Sequence, residues 1–279
     1  MLLLGLCSLA MTPAQALDVT LHINKDTATV FGRTISFCAF NAGPGLQLKN
    51  LLLEIAVGET LNATVVNNDS LPHTFTIDGV LTTGNSVAGG ATEVFTMQFP
   101  VAGAYRYYSD VPHGSMIGAN GIVLVGYAGQ PRFFWNLFEV DPALSMDLAS
   151  GAATTVPADQ VPELFFINGA HAPNTFNDPD TYVTLQMGDT AVIAIANGGN
   201  MDHVLHFHGF HVEILAARRR GERVGWSKDT FPVQRGEAMV VRLVAHQAGI
   251  YPVHDHNLIA VTNAGYYPGG MLTQINVQP

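Results

Sequence analysis

The chain has 279 residues, enough to form two domains of ordinary size, each with its own apolar core. Apolar residues make up 48% of it and charged residues 12%, a balance that excludes a disordered chain. A formal net charge of −10 argues against the basic surface that neutralises phosphates, so we expect no nucleic-acid partner. The one basic run, Arg218 to Arg220 with Arg223, is predicted to be a solvated hairpin tip.

The N-terminal stretch predicts an export signal. Residues 1–16, MLLLGLCSLAMTPAQA, form an apolar run that ends in the small-x-small pattern at which signal peptidases cleave. No later stretch has the roughly 18 apolar residues of a membrane span, so we expect a mature chain without a span, periplasmic or secreted. Cys7 lies in the signal, which leaves Cys38 as the one cysteine of the mature chain and predicts a buried apolar role for it.

Short runs rich in Val, Ile, Thr, Phe and Tyr recur along the chain between clusters of Gly, Pro, Asn and Asp. Examples are LNATVVNN, GIVLVGY, TAVIAIAN and MVVRLVA, and no long helical periodicity accompanies them. This pattern predicts an all-β fold of sandwich domains. Residues 139–162 are poor in strand patterns and are predicted to be the linker between a first domain at 17–138 and a second domain at 163–279.

The two halves of the chain repeat one pattern. VGET in the first half matches MGDT in the second, and fifteen residues after each glycine comes a histidine, His73 or His203. AGAY ending at Tyr105 matches AGIY ending at Tyr251. Several anchors in one register predict a duplicated β-sandwich. The same register pairs Thr76 with His206, Asp78 with His208, Tyr108 with His254, Ser109 with Asp255 and Asp110 with His256.

Four histidines of the second half are predicted to form one metal site. Residues i and i+2 of a strand point to the same face, so His206 and His208 project together, as do His254 and His256. His203 lies at an odd spacing from His206 and should face the interior of the sandwich. Neutral imidazole binds copper, zinc, iron and nickel, and two His-x-His pairs in one domain favour a metal centre over ordinary hydrogen-bonded histidines.

These motifs resemble those of the multicopper oxidase superfamily, in particular the two-domain laccases and copper nitrite reductases. HVLHFHGFH at 203–211 is similar to the family's H-x-x-H-x-H-G segment, and HDHNLIAVTNAG is similar to a nitrite reductase segment that carries a copper ligand. The resemblance implies two tandem cupredoxin-like Greek-key β-sandwich domains. It also implies a homotrimer, with the catalytic copper site where the second domain of one subunit meets the first domain of the next.

The resemblance assigns two groups of site residues. Four residues of the second domain match ligands of a type 2/type 3-like copper site: His206, His208, His254 and His256. Four others match histidine or methionine ligands of type 1 copper sites and are expected to be remnants of such sites: His73, His113, Met116 and His203. The type 1 cysteine is missing from both halves, because Ser109 and Asp255 occupy its positions. Without a thiolate, neither half should form a blue copper site.

The first-domain side of the expected subunit interface lacks histidines at the matching positions, but two of its residues are carboxylates, Asp78 and Asp110. They are either metal ligands of a mixed site or hydrogen-bond acceptors that orient the ligand histidines. Copper is the expected cofactor. Zinc, iron or manganese would compete with it if oxygen ligands take part.

Three functions are compatible with this pattern. The first is an exported oxidoreductase of the multicopper oxidase type without type 1 copper, to which a small-molecule substrate or an external electron donor delivers electrons at the histidine site. The second is a non-catalytic periplasmic copper-binding protein that serves copper tolerance. The third is a structural relic with little chemistry. Turnover after copper loading separates the first two, and no catalytic residue is assigned from the sequence.

Overall fold

The computed structural model describes residues 16–111 and 113–279. The predicted export signal lies outside them except for Ala16, with which the first strand begins. The strands of the first half are β1 (Ala16–Val30), β2 (Arg33–Asn41), β3 (Leu52–Ile55), β4 (Thr60–Asn67), β5 (His73–Thr74), β6 (Thr76–Ile77), β7 (Ser86–Val87), β8 (Thr92–Gln98), β9 (Gly103–Tyr108) and β10 (Asn120–Val125).

The strands of the second half are β11 (Arg132–Val140), β12 (Leu164–Ile167), β13 (Val183–Gln186), β14 (Thr190–Asn197), β15 (His203–Phe207), β16 (Val212–Ala217), β17 (Ser227–Lys228), β18 (Thr230–Val233), β19 (Ala238–Val244), β20 (Gly249–Asp255) and β21 (Leu272–Gln278). The helical elements of the described residues are one α-helix, α1 (Pro142–Ser150), and four 3-10 turns, at Gly114–Ile117, Asn174–Phe176, Gly221–Arg223 and Leu258–Val261. The prediction of an all-β fold is confirmed.

The first half is a sandwich of two four-stranded sheets, ordered β2-β1-β4-β8 and β3-β10-β9-β6. Side chains alternate along β4, where Leu61, Ala63 and Val65 are buried and the residues between them are partly exposed. Cys38 lies in this core as predicted, without exposed surface. Burial raises the pKa of its thiol to about 12, and the charge of Asp69 adds to the effect, so the thiol stays protonated at neutral pH.

The second half is also a sandwich, with sheets ordered β12-β11-β14-β19-β16-β17 and β13-β21-β20-β15-β18. Strand β11 precedes the predicted linker, yet it pairs with β12 and β14 of the second half. The cause is packing, because Trp135 of β11 is buried in the second core against Phe207, with ring centroids 5.4 Å apart. The strand extends through Val140, so the second sandwich begins before the predicted linker does.

Helix α1 lies inside the predicted linker at 139–162. Its N-cap is Asp141, whose carboxylate accepts from the Leu144 amide at 3.1 Å, and Pro142 follows at the first helical position. Gly151 ends it at a φ of 79°, where its amide bonds back to the Leu148 carbonyl. The apolar side of the helix covers the first core with Leu144 and Leu148. Among the described residues, no helix is long and apolar enough to cross a membrane.

A third apolar cluster joins the two sandwiches. Small and branched residues of β9 and β10 pack against β14 and β19 of the second half: Ala104, Ile122, Leu124, Val192, Ala194, Ala196 and Val240, with Phe134 of β11. The alanines let the two sheets approach closely, and all of these side chains are buried. This apolar seam fixes the position of one sandwich relative to the other.

Candidate metal centre

The four histidines predicted to converge lie together at one end of the second sandwich. Strand β15 lies between β18 and β20, and His206 is directly opposite His254 in the antiparallel pair. The ring centroid of His206 is 4.6 Å from that of His208 and 5.6 Å from those of His254 and His256. Strand alternation therefore placed these side chains correctly.

Hydrogen bonds orient two of the rings as they do in metal-ligating histidines. The Nδ1 of His254 lies 2.8 Å from the carbonyl oxygen of Asp255, and the Nδ1 of His206 lies 2.7 Å from the Thr230 hydroxyl. A carbonyl can only accept, so Nδ1 of His254 donates to it, and Nε2 is the ring nitrogen that faces a metal ion. Partial burial lowers the pKa of His208, and the charges of His206 and His254 lower it further, which favours the neutral form that binds metal.

The histidine nitrogens can bind a metal ion, but they supply only part of its coordination shell. The Nε2 atoms of His208 and His254 are 3.1 Å apart, so both can reach one ion at the usual distance of about 2.0–2.1 Å. Within residues 16–111 and 113–279, no three His, Cys, Asp or Glu side chains already close around a single point. A third ligand therefore requires rotation of the His206 or His256 ring, or a group from outside the chain.

An apolar cavity of about 340 Å³ opens beside these nitrogens. Its lining consists of His208 and His254 together with Pro252, Leu258, Val261, Tyr267, Leu272 and Gln274. Two large apolar residues of its lining face solvent, with Leu258 66% and Tyr267 72% exposed. The space next to the histidines is thus large and apolar enough for a small organic molecule or a surface of another chain.

The matching face of the first half holds a hydrogen-bonded polar group in place of imidazoles. Tyr108 donates its hydroxyl to Asp78 at 2.8 Å, and Arg106 lies 3.9 Å from the other Asp78 oxygen. Asp110 accepts from the Thr74 hydroxyl at 2.6 Å. Burial raises the pKa of the Tyr108 hydroxyl, and Asp78 raises it further. Both predicted carboxylates have partners within their own half, and a metal-binding role for them stays a prediction.

His73, one of the expected type 1 remnants, is 1% exposed and both of its ring nitrogens have partners. Its Nδ1 lies 2.9 Å from the Ser109 hydroxyl and its Nε2 lies 3.0 Å from Asp69, which also pairs with Lys25 at 2.5 Å. Burial lowers the pKa of His73; Asp69 opposes the shift and Lys25 adds to it. A neutral His73 therefore donates its Nε2 proton to Asp69, which can only accept, while the Ser109 hydroxyl beside Nδ1 donates to the Val111 carbonyl at 2.8 Å.

His203, the second-half counterpart, faces the interior as predicted and lies between two buried carboxylates. Its Nδ1 is 2.6 Å from Asp255 and its Nε2 is 3.0 Å from Glu139. Burial by itself lowers the pKa of His203, but hydrogen bonds and charge from Asp255 and Glu139 outweigh it and raise the pKa to about 9. His203 is therefore an imidazolium at neutral pH. Asp255 also accepts from the Asn257 amide at 2.8 Å, which shapes the loop that carries His256.

The family model for multicopper oxidases matches residues 146–279. The matched segment is just under half of the chain and includes most of the second sandwich. No curated protein matches the chain. Among solved structures, the chain is similar to a blue copper oxidase from Nitrosomonas europaea, with 21% identity over 94% of this chain and 86% of that one and a TM-score of 0.76.

Two further structures have the same fold. Multicopper oxidase mgLAC is 22% identical, over 95% of this chain and 86% of that one, with a TM-score of 0.76. A copper nitrite reductase from Nitrosomonas europaea is 16% identical, over 94% of both chains, with a TM-score of 0.70. At such identities the likeness shows the fold, two tandem cupredoxin-like sandwiches. The predicted resemblance to two-domain members of the multicopper oxidase superfamily is confirmed.

Glu139, the second carboxylate partner of His203, was not predicted from the sequence, because it falls at the start of the predicted linker. It lies 64 positions from His203 in sequence and reaches the histidine because β11 joins the second sandwich. Gly199 makes room for it, since a Cβ at that position would lie 1.8 Å from a Glu139 oxygen. In the repeat register Gly199 matches Asp69, the carboxylate partner of His73. The absence of a carboxylate at position 199 was the only feature of the sequence to indicate that His203 takes its partner from elsewhere in the chain.

The other two residues expected to be type 1 remnants are His113 and Met116. His113, at a φ of 129°, and His73 both line a cavity of about 110 Å³ under the end of α1. Met116 packs against the first core. Ser109 and Asp255 occupy the positions at which the resemblance implies a thiolate ligand, and each contacts the buried histidine of its own half.

Proposed function

We propose that the protein binds copper at the four-histidine cluster and is an oxidoreductase of the multicopper oxidase type that works without type 1 copper. The observation that supports this most directly is the 3.1 Å separation of the His208 and His254 Nε2 atoms, with His254 oriented by a backbone carbonyl. The match of residues 146–279 to the multicopper oxidase family model agrees with it. Four imidazoles favour copper, and zinc, iron or manganese are competitors.

Each group of the cluster has a defined task in this proposal. His208 and His254 hold the ion, and Thr230 and the Asp255 carbonyl keep the His206 and His254 rings turned toward it. Copper, when bound, supplies one-electron redox chemistry between a reductant and a small oxidant such as oxygen or nitrite. The chain contributes the ligands, their orientation and the apolar cavity beside them.

The missing thiolate determines how electrons would arrive. Ser109 and Asp255 are buried and hydrogen-bonded to histidines, so neither position offers the usual entry point. We therefore propose that the reducing substrate or an external donor approaches the histidines directly. The cavity of about 340 Å³ beside His208 and His254 is the route, and its apolar lining suits an aromatic or other weakly polar reductant.

We further propose an exported homotrimer in which this face meets the first half of the next subunit. The exposed apolar residues around the cluster support an interface, because such a group is unusual on a monomer surface. Asp78 and Asp110 would then face the histidines and either bind the ion or orient its ligands. The solution mass tests the trimer. Full copper occupancy in both Asp78→Ala and Asp110→Ala would remove the carboxylates from the ligand set.

The decisive experiment combines element analysis, electron paramagnetic resonance and turnover of copper-loaded protein. Oxygen consumption with phenols or reduced dyes, and nitrite loss with an artificial donor, measure the two candidate reactions. We expect His254→Ala to lose copper and turnover. His211→Ala, an exposed histidine of the same segment outside the cluster, should keep both.

Each negative outcome points to a different alternative. Full copper occupancy without turnover would overturn the oxidoreductase and leave a copper-binding protein of the tolerance type. Metal content near zero after loading would remove both and leave a structural relic. Copper loss in His211→Ala equal to that in His254→Ala would show that the cluster is not the binding site.

A further inference from the structure

A second cavity, of about 380 Å³, lies between the two halves and is lined by arginines. Its charged residues are Arg106 and Asp78 from the first half and Arg218 and Arg219 from the second. Three guanidinium groups thus face one carboxylate, in a chain whose net charge is −10. Such a local excess of positive charge is unusual for an acidic protein and requires a physical reason.

Arg106 is the most buried of the three. Its side chain is 11% exposed, and its Nε has no hydrogen-bond partner in the structure. Asp78 is 3.9 Å away, too far for a hydrogen bond, and the guanidinium lies 4.1 Å from the centre of the Tyr108 ring. Burial lowers the pKa of Arg106, although an arginine keeps its proton at any physiological pH. A buried N–H on a permanent cation is costly unless an acceptor enters the cavity.

Arg218 belongs to the run predicted to be a solvated hairpin tip, but the structure holds it in place. It lies 3.4 Å above the centre of the Tyr105 ring. A side chain at Gly103 would come within 3.4 Å of its guanidinium. Arg223 of the same run is buried and pairs with Glu237 at 3.4 Å, so the prediction of a solvated tip is wrong for Arg223. Arg218 itself is exposed, although its guanidinium is stacked on the Tyr105 ring.

Arg219 is held in a similar way. It donates to the Arg235 carbonyl at 3.2 Å. A Cβ at Gly236 would lie 3.1 Å from its Cζ, so the glycine allows the guanidinium to lie flat against the backbone. Stacking, glycine contacts and backbone carbonyls therefore position Arg218 and Arg219, which leaves their remaining N–H groups available to a ligand.

We propose that this cavity binds a small oxoanion, of the size and charge of sulfate or phosphate. Guanidinium groups bind oxoanions through paired, parallel hydrogen bonds, and Arg106 brings a buried N–H that lacks an acceptor. The cavity has room for such an ion with its bridging waters, since one water occupies about 30 Å³. Asp78 at its edge opposes the anion by charge and so moderates the affinity.

Isothermal titration calorimetry of the metal-free protein with sodium sulfate tests this site, with chloride replacing sulfate to keep the ionic strength constant. We expect saturable binding to one site per chain. Arg106→Gln and Arg219→Gln should each weaken it about tenfold or more, the effect of losing a charged hydrogen bond. Asp78→Asn should strengthen it, since the one carboxylate lining the cavity is removed.

Arg220→Gln is the matched control. Arg220 is in the same run, but it bonds to Gln234 and Glu222 and does not line the cavity. Its variant should bind sulfate within about twofold of the wild type. Absence of saturable binding, or equal weakening by Arg220→Gln and Arg219→Gln, would overturn the proposal. Thermal unfolding of Arg219→Gln checks that the variant is folded, and metal-free protein separates this test from the copper proposal.

Discussion

The two halves of the molecule keep the same buried histidine and satisfy it in opposite ways. In the first half, a neutral His73 contacts Ser109 and Asp69, and the negative charge of Asp69 is balanced by Lys25. In the second half, His203 is the cation between two buried carboxylates. The difference teaches that a buried histidine at one position of a repeated fold can be stabilised either as a neutral group or as a cation, depending on which carboxylates reach it.

The largest expected effect is the loss of His203. His203→Ala leaves Glu139 and Asp255 buried without a cation, and removing one partner of such a group costs about 3–5 kcal/mol of unfolding free energy. His73→Ala should cost less, about 1–3 kcal/mol, because Asp69 keeps Lys25. Urea unfolding at neutral pH measures both. Equal losses would show that the two histidines have the same electrostatic role.

The next effect is a pH dependence of opposite sign in the two halves. The pKa of His203 is raised from 6.5 to about 9, so its stabilisation is complete below pH 6.5 and is lost as the pH rises through 9, by about 3 kcal/mol. The pKa of His73 is lowered, so its unfavourable contribution comes instead as the pH falls below 6.5. Unfolding free energies at several pH values measure this. His203→Gln should remove the alkaline loss, and an unchanged slope would contradict the charged state of His203.

A smaller effect should follow from filling the space that admits Glu139. Gly199→Ala puts a Cβ 1.8 Å from a Glu139 oxygen, which forces the carboxylate away from His203. We expect a loss of about 1–3 kcal/mol, typical of overpacking a buried site. Gly43→Ala is the control, since nothing lies within 4 Å of a Cβ there, and it should stay within about 0.5 kcal/mol. Thermal unfolding compares the two variants.

The smallest effect on stability is expected from Ser109→Cys, which introduces a thiol and should change the visible absorption spectrum of the copper-loaded protein. Ser109→Cys is nearly isosteric and places sulfur beside His73 Nδ1, with His113 lining the adjoining cavity and Met116 nearby in sequence. Copper loading should then give the intense visible absorption of a thiolate–copper bond. Asp255→Cys should not, because Glu139 still holds His203. Absorption spectra of both copper-loaded variants decide it, and a colourless Ser109→Cys would mean that the first-half remnant has lost its metal geometry.

Much of the histidine cluster followed from local pattern. His206 and His208, and His254 and His256, were predicted to share a face because alternation in a strand depends only on neighbouring residues. The same alternation placed His203 in the interior. The repeat register likewise paired Ser109 with Asp255, and in the structure each contacts the buried histidine of its own half.

The linker and the arginine run were predicted less well. Glu139 looked like the beginning of a connection, yet β11 runs through Val140 and pairs with the second half. Arg218 is exposed as predicted, yet its guanidinium is stacked on Tyr105 of the other half, a contact that the prediction did not include. In each case the partner lies far away in sequence, and composition near the residue carries no information about it.

The sequence by itself determined the all-β class, the duplication and the faces on which the histidines lie, because strand periodicity is a local property of the chain. Only the tertiary structure decided which groups pair with the two buried histidines and which cations surround the proposed oxoanion cavity. Those contacts depend on strand order and on the seam between the sandwiches, which bring Glu139 to His203 and Arg106 to Arg219. Such long-range neighbours determine whether a buried group is charged, because the free-energy cost of burying a charge is offset only when an oppositely charged partner lies beside it.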